Sequence, residues 1–129
     1  MNFSFKKGER LKSRKLIERM FNREGESFAV YPLRIIWFDT DLDSTYPAQF
    51  ALSVPKRAFP KAAHRNLLRR RIREAYRLNK HQLYELLQDK DKQIAIMLLY
   101  TAKKPLAYPE IEKAVQKIIR KLGNKINWY

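Results

Sequence analysis

A single α+β domain, with elements in the order α, β, β, β, α, β, α, is what this sequence predicts, and three observations predict it. Apolar residues recur at helical spacing near residues 10–22, 61–78 and 110–122. Between them lie short runs rich in β-branched and aromatic residues, bounded by Pro, Gly, Asp and Ser. The chain has 129 residues, 45% of them hydrophobic, which is the length of one ordinary domain with enough apolar side chain for one core. Helices and strands of that size must bury their apolar faces on one another, so a layered arrangement follows.

The first helix covers residues 10–22, where Leu11, Leu16, Ile17, Met20 and Phe21 form the apolar positions and Gly25 follows as a stop. Two short strands, 27–31 and 33–38, are separated by Pro32, which cannot donate to a ladder and belongs at an edge or a break. Asp39, Asp41 and Asp43 mark a polar turn that leads into a third strand, 49–54, ended by Pro55. Pro60 opens the second helix, 61–78, with a further short helix over 81–87. Residues 93–101 are almost wholly apolar, so that strand belongs at the centre of its sheet, buried on both faces. The last helix, 110–122, repeats Ile111, Ala114, Val115, Ile118, Ile119 and Leu122, with Gly123 placed to cap it. No repeat or linker divides the chain, so residues 1–129 read as one domain with a core over about 10–122.

Charge narrows the function. The chain carries 28 Lys and Arg against 13 Asp and Glu, a formal charge of +15. Sixteen aromatic side chains are too much apolar matter for a disordered tail, and no apolar run is long enough to span a membrane. With no cysteine, disulfides, thiolate zinc sites and cysteine nucleophiles are excluded together. Residues 1–7 lack the apolar stretch and cleavage site of a secretion signal and read as mature cytoplasmic sequence. The charge peaks over residues 56–80, where ten basic side chains face Glu74 alone. Such a cluster repels itself unless a polyanion relieves it, which makes nucleic acid the leading partner. A membrane surface fits less well, because a basic interfacial helix also needs a broad bulky apolar face.

Within 61–78 the charges share one side of a helix. At about 100° per residue, Leu68, Ile72, Ala75 and Tyr76 make an apolar stripe, and Asn66, Arg69, Arg70, Arg73 and Arg77 fall together beside it. A charged helix face is ordinarily only solvated and mixed in sign. Four guanidinium groups with one acid in the segment instead describe a phosphate-binding ridge. The first helix adds Lys12, Arg14, Lys15 and Arg19 as a second basic surface. Of the aromatics near the strands, Phe21, Phe28, Tyr31, Trp37, Phe38 and Phe50, most belong to a core, and any left exposed could stack on unpaired bases.

An active site of the chain's own is not visible. His64 and His81 lack partners at metal-ligand spacing, the alternating aspartates lack the other ligands of a calcium loop, and three glycines cannot build a phosphate loop. The sequence predicts no catalytic residue and no metal bound by protein side chains.

The run from Lys61 through Arg65, Asn66, Arg69, Arg70, Arg71, Ile72, Arg73 and Tyr76 resembles the signature helix of the bacterial ribonuclease P protein component. The stretch Phe50-Ala51-Leu52-Ser53-Val54-Pro55-Lys56-Arg57 resembles the strand and basic turn before that helix, and the likeness extends over about residues 10–122. It implies a compact α-β-β-β-α-β-α sandwich, ribosomal-protein-like, with a left-handed β-α-β crossover. It implies a subunit of a ribozyme that removes the 5′ leader of precursor tRNA by endonucleolytic hydrolysis, with the chemistry and the magnesium belonging to the RNA. The protein is then monomeric before assembly, and its partners are the catalytic RNA and the single-stranded leader.

Carried onto this chain, the likeness assigns RNA binding to Lys56, Arg57, Lys61, Arg65, Asn66, Arg69, Arg70, Arg73 and Arg77. It assigns a leader cleft to Lys12, Ile17, Phe21 and Ile36. Two departures stand out. Leu67 occupies the third place of the family's Arg-Asn-Arg motif, with Arg71 expected to compensate from another face, and Ile17 and Ile36 replace aromatics common in the cleft. The rival reading is a ribosomal or chaperone-like structural RNA binder without a role in tRNA maturation.

Overall fold

The computed structural model describes residues 4–128; residues 1–3, part of the stretch read above as a mature N-terminus, lie outside the described residues. The elements are α1 (Arg14–Phe21), β1 (Glu26–Val30), β2 (Leu33–Asp39), β3 (Ala48–Ser53), α2 (Ala62–Asn79), α3 (His81–Asp89), β4 (Ile94–Tyr100) and α4 (Tyr108–Trp128). This is the predicted order, and the strands form one sheet in the spatial order β1-β2-β4-β3.

The apolar strand β4 lies inside that sheet, as its composition requires, with six of its seven residues buried. It runs antiparallel to β2, with Ile35 opposite Leu98 and Trp37 opposite Ile96, and parallel to β3, with Phe50 opposite Ile96. Alternation along the strands then builds two cores. On one face Leu33, Ile35, Trp37, Phe50, Ile96 and Leu98 pack under α2, α3 and α4. On the other, Phe38, Ala95 and Met97 pack with Leu11 and Met20 and with the half-buried Leu16 and Ile17 of α1.

Two helix boundaries differ from the sequence reading by more than two residues, each for a local reason. The first helix begins at Arg14, because Ser13 caps it by accepting from the Leu16 amide (3.3 Å) and the preceding residues are extended, with Arg10 bridged to Phe50. A short 3₁₀ turn, Lys7–Glu9, precedes that bridge. The last helix does not stop at Gly123 but continues to Trp128, since buried Ile126 prolongs the apolar repeat. Pro32 sits in the β1–β2 turn after a cis peptide bond from Tyr31, which meets the expectation of a break.

One polar cluster penetrates the core. Glu9 (1% exposed) and Lys80 (2% exposed) form an ion pair, and Lys80 also donates to the Ser4 carbonyl. The Glu9 carboxylate accepts from the Tyr84 hydroxyl (2.8 Å) and the Lys6 amide (2.6 Å). Burial pushes the Tyr84 and Tyr76 hydroxyls well above their ordinary pKa, and the two lie 3.1 Å apart, so both stay protonated as donors. The cluster ties the N-terminal segment to the α2–α3 junction. Removing one member strands a buried charge, so Lys80→Met should cost about 3–5 kcal/mol of stability in urea unfolding. Glu9→Gln with Lys80→Met keeps an acceptor for Tyr84 and Lys6 and should recover most of that loss.

Candidate nucleic-acid interface

The Arg10–Phe50 bridge extends the sheet beyond β3, and the Leu11 amide donates to the Phe50 carbonyl (2.9 Å). Leu11 points into the α1-side core, so its neighbours Arg10 and Lys12 point to the opposite side, towards α2. There they meet Arg69 and Arg73 across a groove of about 510 Å³ that straddles the β3 edge. Its floor is aromatic: Phe5 lies edge-on to Phe50 (5.9 Å), Phe50 stacks on buried Tyr76 (4.0 Å), and the Arg10 guanidinium sits 5.8 Å from the Phe5 ring. Among the described residues none of these four cations is in an ion pair. Asn66 accepts from Arg69 (3.4 Å) and steadies it.

The remaining predicted RNA-binding residues divide by what they touch. Arg70 and Arg73 are exposed on α2, and Lys56, Arg57 and Lys61 are exposed on the turns leading into it. Arg65 turns inward and donates to the carbonyls of Phe59 and Pro60 (both 2.8 Å), closing the loop before α2. On the helical wheel it falls within the apolar stripe, between Ile72 and Tyr76, so its inward position, though not these partners, follows from the spacing. Arg77 pairs with Glu74; that hydrogen bond lowers the Glu74 carboxyl pKa and raises that of the guanidinium. Arg71 stands on another face of α2 from the groove, as expected, and there its guanidinium donates to the Leu106 carbonyl in the loop before α4.

A second depression, about 470 Å³, opens on the α1 face of the sheet. Phe21 (56% exposed) and half-buried Ile36, two of the four residues assigned to the leader cleft, line it. Lys12 is not there but in the α2 groove, and Ile17 packs into the core beneath α1. The cleft instead holds Arg23 and Arg34, neither anticipated, and Arg34 donates to Ser27 (2.8 Å). Arg34 could have been found from the period-2 pattern, since it shares the Ile36 face of β2. Gly25 also borders it with φ of +94°, where a Cβ would lie 2.6 Å from the Trp37 carbonyl oxygen. Of the other aromatics weighed for stacking, Trp37, Phe38 and Phe50 are core residues, Phe28 is half-buried, and Tyr31 is exposed.

No group of three His, Asp or Glu side chains able to hold a metal occurs among the described residues. Near the groove, the Glu9 carboxylate is taken up by Lys80 and the Glu74 carboxylate by Arg77. No described helix is long and apolar enough to cross a membrane.

The model of the family described as Ribonuclease P matches residues 5–123. The chain is 38% identical over 126 residues to the ribonuclease P protein component of Porphyromonas gingivalis strain ATCC 33277, covering 95% of this chain and 89% of that one. To the ribonuclease P protein component of Chlorobium phaeobacteroides it is 33% identical, with 94% and 87% covered. Among solved structures, the RNase P protein of Staphylococcus aureus superposes with a TM-score of 0.65 at 17% identity, over 88% of this chain and 94% of that one. The RNase P protein of Thermotoga maritima superposes with a TM-score of 0.64 at 18% identity, over 88% and 96%. These solved structures share its mixed fold, and the sequence matches place the chain itself in the ribonuclease P protein family.

Proposed function

We propose that this chain is the protein subunit of a ribonuclease P ribozyme, binding the catalytic RNA through the α2 groove and the single-stranded 5′ leader of precursor tRNA through the α1-face cleft. Membership of the family makes it a component of an endoribonuclease and a partner of ribonuclease P RNA. The observation that carries the finer reading is the meeting of Arg10, Lys12, Arg69 and Arg73, from two distant stretches of chain, in one groove without a counter-charge.

Guanidinium groups on a rigid helix bind phosphate oxygens in a fixed geometry and lose little freedom in doing so. The cleft is suited to a strand with unpaired bases, since Phe21 offers a stacking face and Arg23 and Arg34 offer charge at its rim. In this reading magnesium is held by RNA phosphates. The protein residues position and neutralise, and no proton transfer or bond cleavage is assigned to them. The subunit is cytoplasmic and monomeric until it meets the RNA.

Reconstitution with a catalytic RNA from the same source tests the assignment: leader removal at low magnesium should rise when the chain is added. No rise, with RNA binding intact, would favour the structural RNA binder. Each phosphate contact contributes about 0.7 to the slope of log K against log salt, so R69A/R73A should flatten the slope by about 1.4 and weaken assembly. An unmoved slope would remove α2 from the interface. Arg65→Ala should behave differently, lowering the melting temperature because two loop carbonyls lose their donor, while Arg73→Ala leaves it near wild type. Phe21→Ala should weaken binding of a leader-bearing substrate and leave binding of a leaderless one unchanged.

A further inference from the structure

A second basic surface lies at the other end of the sheet. Tyr31, 65% exposed, stands in the β1–β2 turn, and beside it α4 presents Lys113, Lys117 and Arg120, with Lys104 contributed by the loop before the helix. Lys113, Lys117 and Arg120 follow i, i+4, i+7 spacing, so they lie within roughly 60° of one another, with steps of about 6 and 4.5 Å along the axis. With Tyr31 they border an open groove of about 750 Å³.

None of these four cations is in an ion pair among the described residues. One acid, Glu110, shares the lining and accepts from the Ala107 amide (3.3 Å), so four cations stand there against one carboxylate; Glu112, outside the groove, accepts from Tyr108 (3.0 Å) and Asn79 (3.2 Å). The α2 groove lies along β3, at the opposite edge of the sheet from β1, so a ligand seated here does not occupy it.

We propose that this groove is a second binding site for single-stranded RNA, in which the α4 cations hold the phosphodiester backbone and the Tyr31 ring stacks on an unpaired base. A row of cations on a rigid helix fits a regularly repeated anion, and an exposed aromatic beside it fits a base. An acidic protein helix fits less well, because Pro32, Leu106 and Ala114 of the lining are buried and half-buried Val30 alone adds little for its apolar side. The inference rests on the reading of the chain as an RNA-binding subunit and extends it: with this groove added to the α2 groove and the α1-face cleft, one chain can hold three separate RNA segments.

Photo-cross-linking the intact chain to a short unstructured oligoribonucleotide carrying 4-thiouridine, with captured peptides mapped by mass spectrometry, separates the two sites. Capture is expected on the Tyr31 peptide and on α4, retained in R69A/R73A and lost in K113Q/K117Q/R120Q. In the R69A/R73A background, the further change K113Q/K117Q/R120Q should lower the salt slope by about 2. Tyr31→Ala should weaken binding there by tenfold or more. Because Tyr31, Lys113, Lys117 and Arg120 are exposed and the three cations are in no ion pair among the described residues, thermal unfolding of these variants should stay at the value of their parent, which shows that a lost signal is not a lost fold. Capture confined to the α2 groove and the cleft, or an unmoved slope, would overturn this site while leaving the proposed function standing. Capture on α4 alone would support it and overturn the role given to α2. Displacement of the oligonucleotide from α4 by polyglutamate more readily than by unlabelled RNA would replace RNA with an acidic polypeptide as the ligand and overturn the inference.

Discussion

The parallel pairing of β3 with β4 is the constraint on which the rest of the molecule depends. Parallel neighbours cannot be joined by a hairpin; the chain must leave the sheet, travel its length and return. Here the return path is α2 followed by α3, so the most basic segment of the sequence is also the crossover. Its apolar stripe, with Leu68, Ile72, Ala75 and Tyr76 all buried, is pinned to the sheet. The adjacent stripe of arginines is therefore held at a set angle beside β3, and the ridge owes its placement to topology.

A sheet edge next to such a ridge would ordinarily be open to pairing with another chain. The N-terminal segment covers part of it through the Arg10–Phe50 bridge, and the buried Glu9–Lys80 pair holds that segment in register with the crossover. Burying two charges has a large desolvation cost, and an apolar pair of similar volume could be as stable. What the ion pair adds is placement: Glu9 immediately precedes Arg10, and Lys80 immediately follows α2. The same contact that closes the core thereby decides which cations face one another across the groove.

Much of this was legible in the sequence because it depends on periodicity. The order of elements, the burial of β4 and the separation of the α2 stripes all follow from spacings of 2 and 3.6 residues. Boundaries set by a single contact were not legible in that way. Arg10 belongs to a strand-like bridge because Phe50, forty residues on, offers its carbonyl to the Leu11 amide, and no local pattern announces that. Gly123 resembles a helix stop by composition, yet the burial of Ile126 carries the helix past it. Lys12, which the family likeness assigns to the cleft, lies in the extended segment before α1, where alternation sends it to the groove.

Counting arginines also overstated the surface open to RNA. Six stand on α2, and three of them, Arg65, Arg71 and Arg77, are tied to the Phe59 and Pro60 carbonyls, the Leu106 carbonyl and the Glu74 carboxylate. These groups brace both ends of the helix and its α4 flank, using hydrogen-bonding capacity that a phosphate would otherwise meet. Arg69, Arg70 and Arg73 remain directed outward, and Arg69 and Arg73 gain their neighbours Arg10 and Lys12 from outside the helix altogether. The density of charge along the motif thus reflects two tasks in one element: inward-turned guanidinium groups fix the helix, and that fixity lets the outward ones present a defined spacing to a backbone of phosphates.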